Sequence, residues 1–336
     1  MTLLSNIQRQ AAPSPLRISL AGFGTVGQAL AERLGAEPRF EIVSVLVRDP
    51  GKHRRVHPPC PITADRARFA AVGADILVDA LSCDDTGTFL SRQALGHGLH
   101  VVSASKRVIS RHHDELHSRA RAAGLRLGFS AAVGGATPVL EAIAAVRPGS
   151  GVREVAAILN GTVNLILDRM SEGASFDAAL AEAKAGGFAE EDCSCDLSGA
   201  DAAAKLRLIA GEAFGVDPAS LAVATEPLDE PVIARIQADG RRWVQLATIR
   251  RSAGRVEAEV ALRPLADLPG FPNPRGEWNC ARISLESGAE LLCSGPGAGG
   301  AATAEAILSD LHRIEGAECA ATGLAPGSRP LKTAWL

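Results

Sequence analysis

LRISLAGFGTVGQALAERL, residues 16–34, runs from a short strand through a glycine loop into a helix. Arg17–Ala21 has the apolar density of a strand, and Val26–Leu34 spaces its apolar residues for a helix. Between them, Gly22-Phe23-Gly24-Thr25-Val26-Gly27 reads GxGxxG. Glycines there permit a tight turn and close approach of the backbone to a pyrophosphate, whose charge the helix N-terminus stabilises. The motif alone is weak. A strand before it, a helix after it and a second strand ending at Val47 supply the context of a dinucleotide-binding unit.

Outward from that loop, short apolar runs alternate with helical ones as far as Phe129. Strands are expected at Arg17–Ala21, Glu41–Val47, Asp75–Leu81, His100–Ser103 and Arg126–Phe129, and helices at Val26–Leu34, Thr86–Gly96 and Ser110–Ala123. Such alternation predicts βαβ units and a parallel sheet. After Pro138 the rhythm changes. A strand at Val152–Leu159 is followed by helices at Thr162–Ser171, Phe176–Ala185 and Gly199–Phe214. Segments at Arg242–Arg250, Val256–Leu262, Asn279–Leu285 and Glu290–Cys293 read as an antiparallel sheet, with Pro264–Pro274 as a loop. Gly295–Gly300 opens a last helix over Ala301–Arg313. The fold class is α/β, a Rossmann-type dinucleotide-binding domain plus an α+β domain.

A chain of 336 residues with net charge −3 and no tyrosine carries neither the positive footprint nor the stacking platform of a nucleic-acid binder. The first twelve residues lack the pattern of a signal peptide. Leu127–Val146, the most apolar stretch, is interrupted by Gly134, Gly135, Pro138 and Glu141, so it falls short of the roughly 18 residues that span a membrane. Seven cysteines without paired CxxC spacing point to reduced thiols and a cytoplasmic location. Cys193-Ser194-Cys195 lacks the second half of a zinc site and reads as unbridged loop thiols.

Three further features carry chemistry. At the end of the second strand, Arg48 precedes Asp49, with Lys52, His53, Arg54 and Arg55 behind it. Positive charge at that position suits a 2′-phosphate and favours NADP(H), with NAD(H) as the second choice. Val101–Lys106 places Lys106 just past the carboxyl end of a strand, the edge where α/β sheets bind ligands, and there it can orient a substrate carboxylate or share in proton transfer. Between Gly187 and Lys205, the carboxylates Glu190, Glu191, Asp192, Asp196 and Asp201 crowd together before the cation Lys205. They need a positive partner, either a metal ion or a substrate ammonium. Asp201 and Lys205 lie one helical turn apart, with a plain surface ion pair as the alternative.

Taken in order, AGFGTVG (21–27), SASKRVIS (103–110), AAVGGATP (131–138), ILNGTVNLILDRM (158–170), GFAEEDCSCDLSGADAAAKL (187–206) and GPGAGGAATAEAILSDL (295–311) resemble homoserine dehydrogenase over nearly the whole chain. The resemblance implies NAD(P)-dependent interconversion of L-homoserine and L-aspartate 4-semialdehyde, on the way to threonine and methionine. It looks like the short form of the family, without a C-terminal regulatory domain. It implies substrate binding by Glu190, Asp196 and Asp201, proton donation by Lys205, and a second active-site lysine, Lys106. Cofactor contacts are implied at Gly22 to Gly27, Arg48, Ser82, Ser105, Lys106, Gly187 and Gly297. A monovalent cation, Na⁺ or K⁺, is implied on main-chain oxygens of Val133, Gly135 and Thr137. The implied domains are 13–135, completed by 298–336, for NAD(P), and 136–297 for substrate and dimerisation, in a homodimer or homotetramer. The sequence departs from the family pattern at Ser105, usually Asn, at Ser130, usually Glu, and at Ser82-Cys83-Asp84-Asp85, usually a glycine pair. Two other readings stand beside this one: a dehydrogenase of another small amino acid or aldehyde, and a catalytically weak NADP(H)-binding paralogue.

Overall fold

The computed structural model describes residues 14–189, 191–252, 254–322 and Trp335. Its first half forms strands β1 (Leu16–Ala21), β2 (Phe40–Leu46), β3 (Ile62–Thr63), β4 (Ile76–Asp79), β5 (His100–Ser103) and β6 (Leu127–Gly128). They make one sheet in the order β3-β2-β1-β4-β5-β6, with every pairing parallel. Helices α1 (Thr25–Leu34), α2 (Arg66–Ala71), α3 (Asp84–Gly96) and α4 (Lys106–Ala122) connect them. Side-chain alternation explains why both sheet faces are covered. Ile18, Leu20, Ile76, Val78 and Val102 pack one way, and Leu77 and Val101 pack the other with Phe69, Leu90 and Leu116. A parallel sheet buried on both sides needs such continuous apolar strands.

Short helices α5 (Ser130–Val133) and α6 (Val139–Val146) lead into the second sheet. There β7 (Val152–Ile158) is followed by α7 (Gly161–Ser171), α8 (Phe176–Ala185), α9 (Ser194–Leu197) and α10 (Ala200–Phe214). Next come β8 (Ala224–Thr225), α11 (Glu230–Asp239), β9 (Trp243–Ser252), β10 (Arg255–Pro264), β11 (Trp278–Leu285) and β12 (Glu290–Pro296). Their order is β12-β11-β7-β9-β10-β8. The expected antiparallel sheet is therefore mixed, because β8 joins β10 in parallel. Val155, Ala157, Ala247, Ile249, Ala281 and Ile283 on one face pack against α6 and α10.

α12 (Gly300–Thr322) returns the chain to the parallel sheet, where Ala304, Ile307 and Leu311 join Leu30 of α1 in one core. It runs well past the expected end at Arg313, and Ile314 and Glu315 just beyond that point are still buried. Asp310, fully buried on this helix, accepts the Ser130 main-chain N–H and the Ser130 hydroxyl, both at 2.9 Å. Burial raises that carboxyl to about 7, and the nearby charge of Glu141 adds to the shift. α4 starts at Lys106 rather than Ser110, because the Ser105 hydroxyl accepts the Val108 N–H and caps the helix earlier. No described helix is long and apolar enough to cross a membrane.

Candidate active site

Strand order reverses beside β1, so the crevice between the carboxyl ends of β1 and β4 is where an open α/β sheet receives a ligand. The glycine loop shapes that crevice by leaving side chains out. Gly22, at φ +100°, sits so close to β4 that a Cβ would stand 2.4 Å from the Ala80 carbonyl oxygen. A Cβ at Gly27 would stand 2.3 Å from the Gly22 carbonyl oxygen. Gly24 faces open space and caps α1 without any side-chain bond, which leaves room for an anion at the first-turn amides. A cleft of about 240 Å³ opens there, bordered by Val26, Leu81, Ala104, Lys106, Gly297 and Thr303. These residues fit a dinucleotide: backbone at the phosphate end, the Lys106 side chain at the other.

Gly297 belongs to this wall for a packing reason. The Asn279 carboxamide lies flat beneath it, 2.6 Å from where a Cβ would be. Arg48 projects from the end of β2 and is exposed. The basic residues that follow are partly spent on the loop itself. Arg54 donates to the Asp49 and Lys52 carbonyls, both at 2.7 Å, and Arg55 pairs with Glu32 at 3.1 Å. Ser82 is exposed in the turn between β4 and α3 and does not border the cleft.

Across the cleft mouth, β7 ends and α7 begins at Asn160, and α10 begins behind a left-handed Gly199. Asp201 lies in the first turn of α10, where the helix dipole favours a carboxylate. It holds two lysines at once. Its Oδ2 is 2.8 Å from the Nζ of Lys205, and its Oδ1 is 3.3 Å from the Nζ of Lys106. Burial pushes the Asp201 carboxyl upward, but the charges of Lys205 and Lys106 outweigh it and hold it near 2. Lys205 is buried and also donates to the Leu159 carbonyl at 2.5 Å. Burial lowers its pKa against the opposing pull of Asp201. Lys106 keeps over half of its side chain exposed.

Asn160 ties the acids together. Its amide donates to Asp196 Oδ1 at 2.7 Å and to Asp201 Oδ2 at 3.0 Å, while its carbonyl oxygen caps α7 through the Val163 N–H. An Asn directly between a strand and a helix was a legible cap signal. Its bridging of two distant carboxylates was not. Burial raises the Asp196 carboxyl, and the Asn160 bond opposes that shift.

The acidic run resolves into parts. Asp196 and Asp201 enter the cluster, whereas Glu190 lies outside the described residues. Glu191 turns away to Lys184, 3.4 Å off, and Asp192 accepts the Ser194 N–H on the surface. Gly187, at φ +74°, turns the chain out of α8, and the Phe188 carbonyl then receives the Thr162 hydroxyl at 2.6 Å. This brings the 187–189 loop against the start of α7, next to Asn160. No group of three or more metal-ligating side chains exists among the described residues. Cys193 is buried and Cys195 exposed, both as free thiols.

The departures from the family pattern have structural employment. Ser105 caps α4, Ser130 anchors Asp310, and Asp84 and Asp85 occupy the first turn of α3, with Asp84 3.6 Å from Arg107. The turn from Val133 to Thr137 is buried apart from Ala136, which is half-buried; Ala136 N–H bonds the Pro296 carbonyl, and the Thr137 hydroxyl bonds the Gly295 carbonyl. A larger hollow of about 350 Å³ lies elsewhere, under Pro272–Arg275 and Trp278, and none of the expected site residues borders it. Its size does not outweigh the convergence of titratable groups at the smaller cleft.

Comparison with known proteins agrees with this geometry. A family model described as homoserine dehydrogenase, NAD binding domain, matches residues 22–130, and one described as homoserine dehydrogenase matches residues 138–312. The homoserine dehydrogenase of Synechocystis is 33% identical over 90% of this chain and 73% of its own length. The crystal structure of the enzyme from Thiobacillus denitrificans superposes with a TM-score of 0.80 at 27% identity, covering 97% of this chain and 78% of that one. A hyperthermophilic archaeal homoserine dehydrogenase in complex with NADPH gives 0.73 at 26% identity, over 89% of this chain and 97% of that one. The chain belongs to the homoserine dehydrogenase family, NAD(P)-dependent oxidoreductases that interconvert L-homoserine and L-aspartate 4-semialdehyde.

Proposed function

We propose that Lys205 delivers the proton in this reaction, that Asp201 orients it, and that Lys106, Asp196, Asp201 and Glu190 hold the amino-acid substrate. The observation that carries the reading is the chain Lys205–Asp201–Lys106, which runs from the buried second turn of α10 to the edge of the dinucleotide cleft. Hydride chemistry is what bound nicotinamide supplies. The protein must give a proton to the developing alkoxide as the aldehyde is reduced, and take it back in reverse. A buried lysine with a lowered pKa is suited to that exchange, since burial weakens its hold on the proton. Lys106 meets the substrate carboxylate at the cleft mouth, while Asp196 takes the substrate ammonium, a task the family resemblance shares with Glu190.

We assign the cofactor to Gly22–Gly27, Lys106 and Gly297, with Ser82, Ser105 and Gly187 as further contacts from outside the cleft wall, and Arg48 favouring NADP(H) over NAD(H). Exposure of Arg48 at the end of β2 supports that preference. A monovalent cation fits the buried turn through carbonyls of Val133, Gly135 and Thr137, and K⁺- or Na⁺-dependent activity tests it. The division into 13–135 with 298–336, and 136–297, is supported by the packing of α12 on α1. Soluble homodimers or homotetramers in the cytoplasm complete the reading, with no membrane or nucleic-acid partner.

The direct experiment follows NADPH oxidation with aspartate semialdehyde in the wild type, Lys205→Ala and Lys106→Ala. Turnover lost in Lys205→Ala with NADPH binding intact is the expected result. A near-normal rate in that variant, beside an inactive Lys106→Ala, would assign the proton to Lys106 instead.

A further inference from the structure

β4 ends on a carboxylate that neither the cofactor nor the substrate reading uses. Asp79 is wholly buried between β1 and β5, directly before Ala80 and Leu81 at the cleft. A buried carboxylate is costly unless it is paired or hydrogen-bonded, and no cation pairs with this one among the described residues. Its bonds are local and directional. Oδ1 accepts the Leu81 N–H at 3.1 Å, and Oδ2 accepts the Ser103 hydroxyl at 2.9 Å. Gly87 of α3 leaves the space for it, since a Cβ there would stand 2.7 Å from Oδ2.

The chain of bonds goes on toward the site. Ser103 Oγ accepts the Ser105 N–H at 3.2 Å, and the Asp79 carbonyl accepts the Ala104 N–H at 2.8 Å. Ser105 then caps α4, whose first residue is Lys106. A serine hydroxyl has a single proton to give. While Asp79 is ionised that proton is committed to Oδ2, so the Ser103 lone pair is left for Ser105. Burial, with a smaller push from Asp84 on α3, raises the Asp79 carboxyl to about 6 against the Leu81 and Ser103 bonds, which leaves it ionised at neutral pH. An apolar pair would cover the same strand ends at lower cost. The polar pair instead orders the turn that presents a lysine.

We propose that Asp79 is a positioning residue for the reaction: through Ser103 it fixes the 103–105 turn, and thereby the placement of Lys106 at the cleft. This rests on the reading of Lys106 as an active-site residue. Misplacement of a reacting group by about an ångström costs on the order of a hundredfold, so partial release of the turn is expected to lower kcat about tenfold. Ser103→Ala should do so with a much smaller rise in KM for NADPH, because the glycine loop is untouched and only the Ser105–Lys106 end of the cleft is loosened. Asp79→Asn should match it, and the double variant should lose no more than either single one, since both cut one relay. If Asp79→Asn does not fold, kcat of Ser103→Ala carries the test alone. Wild-type kcat in Ser103→Ala, or losses that multiply in the double variant, would overturn the proposal. Lys106→Ala is measured beside them. Full turnover there would overturn the active-site reading and the proposal with it, whereas an inactive Lys106→Ala beside an unaffected Ser103→Ala would overturn the positioning role alone.

Discussion

Around Gly22 the parallel sheet makes room for a ligand by leaving side chains out, whereas around Asp201 the mixed sheet and its helices meet a ligand with charge. The first wall is backbone held in tight contact: positions 22 and 27 have main-chain oxygens where a methyl would go. The second is a salt cluster, buried at Lys205 and open to solvent at Lys106, in which one carboxylate serves two lysines and one amide serves two carboxylates. Their costs differ in kind. A cradle of glycines costs conformational entropy and gains close approach. A buried ion cluster costs desolvation, repaid only if every partner stays in place. Binding of the cofactor should therefore be sensitive to atoms added, and chemistry to charges removed.

The largest expected effect tests the charged side. Lys205→Ala should lower kcat by roughly 10²–10⁴-fold, the usual worth of positioned acid–base help. The NADPH dissociation constant should stay near wild type, because Lys205 does not border the cleft. An NADPH affinity that falls along with kcat would break the separation between the two walls. Next comes the backbone side. Gly22→Ala adds a methyl against the Ala80 carbonyl at a φ of +100°, strain on the order of 1–3 kcal/mol. Stability should fall by about that much, and, as the distorted loop meets the phosphates less closely, NADPH should bind up to about 5- to 150-fold more weakly, with kcat at saturation little changed. Gly24→Ala, where a Cβ meets nothing within 4 Å, is the sharpening control and should lose far less stability. Equal destabilisation by the two alanines would show that open space and close contact matter alike, contrary to the comparison.

The two walls also differed in how much the sequence disclosed. Gly22–Gly27 is contiguous, so strand, loop and helix were legible from one short stretch, and β1, α1 and β2 lie within a residue or so of expectation. Long periodic helices such as α8, read as Phe176–Ala185, were equally plain. What escaped was short or non-local. β3 and β8 have two residues each, too few for a period, and β8 earns its place only by pairing with β10. α11 was hidden by its proline at the first turn, although Asp229 caps it in the ordinary way. On the charged wall, Asp201 and Lys205 were legible because they are one turn apart on a single helix. Asn160 was not, because its partners Asp196 and Asp201 come from a segment about forty residues on, and only the fold sets them within bonding distance. Asp79 was hidden for the same reason, its partner Ser103 being on another strand.

The smallest effect concerns a charge at the edge of the backbone wall. Of the basic run after β2, Arg54 is folded onto its own loop and Arg55 is paired with Glu32, so their charge is already committed. Arg48 is exposed at the strand end, where the ribose of a dinucleotide would lie, and makes no ion pair or side-chain hydrogen bond among the described residues. Replacing it by alanine should weaken NADPH about tenfold through loss of a charge-assisted contact to the 2′-phosphate. NADH, with a free hydroxyl there, should bind nearly as before. Because Arg48 is exposed, the difference between the two cofactors should shrink as salt is raised, which a contact from a buried residue would not do. Titration of both cofactors against the wild type and Arg48→Ala, at low and high salt, reads all of this in one experiment. Equal losses for NADPH and NADH would mean that Arg48 supports the loop rather than the phosphate, and would leave the cradle a wall of backbone alone.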